Sequence, residues 1–156
     1  MEEQKKNGSR VTVTEQQPLK GILRYTIFKN GVPIEKFEDK NLIVDGARLQ
    51  MAHLIAGDTA SRSINRISVG TNGNAPAVGD TAITGAFTKA VTGFTYPANG
   101  QVQVNWKLET SEANGMAIRE FGLICANGTL FARRIRANPI YKESDISIEG
   151  EWIIIF

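Results

Sequence analysis

From Gln101 to Phe156 the chain alternates apolar and polar residues in short runs broken by turn residues, a pattern that admits few folds. In Gln101–Glu109, residues Val102, Val104, Trp106 and Leu108 fall on one side and polar residues on the other, the period-two signature of a half-buried antiparallel strand. Further strands are expected over Ile118–Cys125 and Thr129–Ile135. They are joined through Asn127-Gly128, a pair that accepts the positive φ angles of a type I′ turn. The stretch Glu151–Phe156 is apolar on both strand faces, so it has to lie in the middle of a sheet or in an interface. Trp152, Ile154 and Phe156 are accordingly expected in the core or at a subunit contact.

Upstream, a strand over Ile22–Lys29, the turn Asn30-Gly31 and a return strand through Ile34 and Phe37 read as a second hairpin. The period then changes. Asp45 is placed to cap one short helix over Gly46–Ala56, with Ala47, Met51, Leu54 and Ile55 on its apolar stripe and Gly57 ending it. A strand over Ile64–Val69 leads into residues 70–80, where Gly, Asn and Pro point to an exposed contact loop carrying Thr71, Asn72, Asn74 and Pro76. Two more strands, Ile83–Phe94 and Gln101–Glu109, are expected to meet across Pro97–Gly100. So many short strands must stack face to face to bury their alternating residues. The expected fold is a mainly β, antiparallel sandwich over residues 19–156.

Residues 1–18 differ in kind. They are polar and rich in Gln, Glu, Lys and Thr, an arm that orders only on contact. Within it Arg10-Val11-Thr12-Val13-Thr14 is a short alternating stretch, and Val11 and Val13 are its candidate docking residues on a neighbouring sheet. The arm has no apolar region of the kind a secretory signal carries, and no run in the chain approaches the roughly 20 apolar residues of a spanning helix. Synthesis in a cytoplasm and no membrane partner are expected. Eighteen basic against sixteen acidic residues leave a formal charge of +2, too balanced for affinity drawn from many phosphates, so nucleic acid is not an expected partner.

Residues with catalytic chemistry are few. His53 is the sole histidine and Cys125 the sole cysteine, which removes disulfides, cysteine metal clusters and two-histidine relays; no cofactor or metal is expected. Cys125 reads as a small buried hydrophobe. Gly70-Thr71-Asn72-Gly73 follows a strand but lacks the Gly-Lys-Ser/Thr ending of a phosphate loop, and reads as a surface turn. Among Glu112, Glu120, Asp145 and Glu149, only Glu120 lies inside an apolar strand, where it needs a partner. Arg133, Arg134 and Arg136 are the near candidates across the hairpin, and a structural Glu120–Arg134 pair is expected. Strand period separates Arg133 from Arg134 and Arg136, which splits the basic cluster between two faces.

Asn41–Arg48 before a short helix, then Ile67–Pro76 with Asp80-Thr81-Ala82 behind it, resembles a module of tailed-phage virion proteins. The same module is similar further on to Glu112–Gly115, Ile118–Leu123 and Gly128–Arg133, so the resemblance spans roughly residues 40–156. In tail-fibre, tail-collar and baseplate proteins it implies a non-enzymatic structural role, assembly into homo-oligomers (by analogy with fibres, trimers) and contacts with other virion proteins. A location in the virion after assembly in the bacterial host cytoplasm follows. Two other uses stay open: a capsid decoration protein, and a carbohydrate-binding receptor module with aromatic residues exposed around its loops.

Overall fold

The computed structural model describes residues 19–156. Nine strands and one helix follow in the order β1 Lys20–Lys29, β2 Val32–Ile43, α1 Asp45–Ile55, β3 Ile64–Gly70, β4 Phe87–Ala90, β5 Gly93–Thr95, β6 Gln101–Leu108, β7 Ala117–Cys125, β8 Leu130–Tyr141 and β9 Ile146–Ile155. All pair antiparallel in one sheet of order β4-β3-β7-β8-β2-β1-β9-β6-β5.

The sheet curls until its halves face each other, and that makes the sandwich. Tyr25 on β1 stacks on Phe121 of β7 with ring centroids 4.8 Å apart, and Trp106 of β6 meets the same Phe121 ring at 5.8 Å. One side is bridged by β2, which pairs along its length with β1 and then, through Leu42 and Ile43, with β8. The other side is bridged by the chain between β4 and β5. The single strand expected over Ile83–Phe94 is therefore two: Val91 N–H bonds Asn65 on one half, and Thr92 N–H bonds Asn105 on the other.

Both expected hairpins form, with different turns. Asn30 and Gly31 both have positive φ (49° and 76°), as a type I′ turn requires. At Asn127-Gly128 only the glycine is positive, and Cys125 exchanges bonds with Thr129 and Gly128, so this is a wider turn with a glycine in the left-handed position.

Residues 151–155 of the Glu151–Phe156 stretch belong to β9, which lies between β1 and β6, and Phe156 follows its end. Of the two uses expected for Trp152 and Ile154, the structure assigns the core: both are fully buried, and Trp152 donates its indole N–H to Asn41 Oδ1 at 2.8 Å. Phe156 is exposed.

Helix α1 departs from its expected stripe. Val44, not Asp45, is the N-cap, and Asp45 occupies the first turn. Ala47 and Gln50 are the buried residues, whereas Ile55 is almost wholly exposed. Gln50 goes inward because it has partners there: it donates to Asn127 Oδ1 at 2.8 Å and accepts from Arg62 at 3.0 Å, fastening the helix to the β7–β8 turn. Gly57, at φ 80°, ends the helix as expected.

Candidate functional site

Residues 120–125 of β7 are buried without interruption, because both faces of that strand are covered. One face points into the sandwich. The other carries Glu120, Gly122 and Ile124, and the segment from Thr71 to Ala86 folds back over it. Ile83 is the wedge, resting on Val44, Ile124 and Leu130. It fits because Gly122 has no side chain; a Cβ there would collide with Ile83.

A buried ion pair fixes this loop. Glu120 is unexposed and Arg133 is 2% exposed, and Arg133 Nε donates to Glu120 Oε2 at 2.7 Å. The other oxygen, Oε1, accepts the backbone N–H groups of Thr84 at 2.7 Å and Asn72 at 3.2 Å. The rest of the guanidinium holds the same loop: it donates to the carbonyls of Asn72 (2.9 Å) and Asn74 (3.1 Å) and to Asp80 Oδ2 (3.0 Å). Asp80 also accepts from Ala77 N–H, Asn72 Oδ1 from Asn74 N–H, and the Val78 carbonyl from the first helical amide, Asp45 N–H. Two desolvated charges with every neighbouring polar group engaged make a clamp, and what it holds is backbone.

The expected pairing of Glu120 with Arg134 is corrected by this geometry. Glu120 stands opposite Ile135 in the register, so Arg133 shares its face and Arg134 and Arg136 go to the other. There they span the gap where β2 and β8 splay apart: Arg134 pairs with Asp39 at 2.8 Å, and Arg136 with Glu35 at 2.7 Å and with the Tyr25 hydroxyl. Counted from the turn, where Ile124 faces Leu130, the ladder would set Arg134 opposite Glu120; an irregularity between Leu123 and Ile124 shifts it by one residue and brings Arg133 to the Glu120 face instead. Asp80 and Thr84 carried no signal in the sequence either, because their roles arise from the path of the loop.

The loop presents Thr71 and Asn74 as exposed residues and Asn72 and Pro76 as half-buried ones. The amides of Gly70–Gly73 form no open anion cradle, since Asn72 N–H is already bonded to the chain's own Glu120. The remaining candidate carboxylates lie in separate pairs: Glu112 with Lys89, Glu149 with Lys107 and Asp145 with Lys29. Burial pushes the Glu112 carboxyl up, but the Lys89 hydrogen bond and the Glu109 amide outweigh it and hold the group below the usual carboxylate range. His53 faces Asp58 on the exposed end of the helix. Cys125 is fully buried, and burial raises its thiol pKa.

A second device was not expected from sequence. Lys142, fully buried, donates to Asn114 Oδ1 at 2.9 Å and to the carbonyls of Thr110 and Glu143, holding the 109–116 loop; burial lowers its pKa. Val11 and Val13 lie outside the described residues. Among the described residues, no group of three His, Cys, Asp or Glu is arranged to hold a metal, and no helix is long and apolar enough to cross a membrane.

The chain matches no family model, no curated protein and no solved structure.

Proposed function

We propose that this chain is a non-enzymatic structural protein of a tailed-phage virion, a small tail, collar, baseplate or fibre-attachment component that works through subunit–subunit assembly. The observation that supports this reading is the Glu120–Arg133 clamp. Asn72, Asn74, Asp80, Glu120 and Arg133 belong to separate pieces of the resemblance, and they converge on one buried network whose product is a loop of fixed shape. A clamped loop suits an assembly surface, because little conformational entropy is left to lose when a neighbouring subunit docks on it. The polar groups that would serve catalysis are held by internal partners, which fits the same role.

The test is the composition of purified particles. Particles from cells expressing the gene are banded by density, the chain is quantified by mass spectrometry, and antibody labelling locates it. Stoichiometric presence on the tail is the expected result. Labelling confined to the head would favour the decoration protein, and absence from the particle would overturn the virion reading.

A further inference from the structure

Among the described residues, Lys142 is the one lysine that is fully buried. It follows the end of β8, and its backbone is paired twice with the 109–116 loop: Gly115 N–H donates to the Lys142 carbonyl at 2.8 Å, and Lys142 N–H donates to the Met116 carbonyl at 2.9 Å. Those two bonds fix Lys142 beside Asn114, the residue before Gly115. Nζ donates to three acceptors, Asn114 Oδ1 at 2.9 Å and the carbonyls of Glu143 at 3.1 Å and Thr110 at 3.2 Å. Two of these are main-chain carbonyls, where substitution by the amine would cut the backbone. The third belongs to a carboxamide, whose carbon carries a group that can depart without breaking the chain. Asn114 is itself exposed, so ammonia released there has a way into solvent.

We propose that Lys142 and Asn114 are joined by an isopeptide bond that the folded chain forms by itself. The neutral amine of Lys142 attacks Asn114 Cγ; the Nζ–Cγ bond forms, the Cγ–Nδ2 bond breaks, and the proton given up by Nζ leaves with the departing nitrogen as ammonia. Counted from the ammonium form of the lysine, the products are a secondary amide and an ammonium ion, and no oxidant, metal or other reagent is consumed. Two physical conditions favour the step. The carboxamide oxygen at 2.9 Å brings its carbon close to Nζ, and groups held at about 3–3.5 Å in a fixed geometry react at effective concentrations far above those in solution. Burial also favours the nucleophilic form: it lowers the Lys142 pKa, against the fields of Glu112, Asp145 and Glu143. The bond closes residues 114–142 covalently and pins the 109–116 loop to the β8–β9 corner. This assignment does not depend on the virion reading.

The test is the intact mass of the purified full chain. A mass below the sequence value by one ammonia, about 17 Da, is expected. Trypsin should then release one branched peptide joining residues 108–119 to residues 137–156, because an acylated Lys142 is no longer cut. Asn114→Ala, a change at an exposed position, removes the carboxamide; that variant should show its full sequence mass and normal cleavage after Lys142. A native chain at full mass would make Lys142 only a caged ammonium and overturn the assignment. Loss of ammonia without the branched peptide, the mark of a succinimide at Asn114-Gly115, would overturn it as well.

Discussion

Gly122 lies directly across the β7–β8 ladder from Arg133, and the space left by its missing side chain is taken by Ile83 of the overlying loop. Glu120, two residues away on the same face, meets Arg133 diagonally at 2.7 Å. Strand and loop are thus joined by one apolar wedge and one ion pair, and neither is independent of the other.

Glu120→Gln removes one member of a buried pair and leaves the other charge unmatched, a loss expected to cost about 3–5 kcal/mol. His53→Ala removes an exposed contact on the helix and should cost no more than about 1 kcal/mol. Urea unfolding of both variants measures the difference. Equal midpoints would mean the clamp contributes no more than a surface pair.

Two glycines separate the loop's anchor from its tip. A Cβ on Gly70 would collide with Ile83, the Thr84 carbonyl and Glu120 Oε1, whereas one on Gly73 meets only the Arg119 side chain at ordinary contact distance. Gly70→Ala should therefore lose about 1–3 kcal/mol and speed amide exchange at Asn72 and Thr84. Gly73→Ala should stay within about 0.5 kcal/mol of the native chain. Hydrogen exchange followed residue by residue distinguishes them.

Glu112 sets an acid limit. Its folded carboxyl lies below the usual value, so it contributes stability that is present above the unfolded pKa of about 4.3 and is lost as pH falls through the lower folded value. In that window the unfolded chain binds the extra proton, and stability rises with pH. Glu112→Gln should flatten the slope of unfolding free energy below about pH 4.5. An unchanged slope would assign the acid sensitivity to other carboxylates.

The Asn30-Gly31 turn and the strand faces were legible in the sequence because each rests on local chemistry, whereas the type I′ turn expected at Asn127-Gly128 is a wider one. Asn30-Gly31 can adopt the two positive φ angles its hairpin needs, and the alternation at Val104, Trp106 and Leu108 follows from the strand period alone. What depends on distant pairing was not. The break at Val91-Thr92 exists because two halves of the sheet compete for one segment, and Gln50 is buried because the β7–β8 turn offers it an amide partner. The Glu120 partner belongs with these: counted from the turn the ladder favours Arg134, a one-residue irregularity between Leu123 and Ile124 brings Arg133 to that face instead, and the loop that makes the pair a clamp is a tertiary feature.

Asn74 projects from the clamped loop, and its carbonyl, not its side chain, is what Arg133 holds. Asn74→Lys should leave the unfolding midpoint within about 0.5 kcal/mol of native while lowering incorporation into particles. Normal incorporation of the folded variant would remove this position from the contact surface.

The most direct measurement is a near-atomic density map of the purified particle. It is predicted to place this chain at a subunit boundary of the tail, with the 70–84 loop in contact with a neighbour and the Glu120–Arg133 pair intact beneath it. A particle without the chain, or a map in which that loop faces solvent on every copy, would contradict an assembly role built on the clamp.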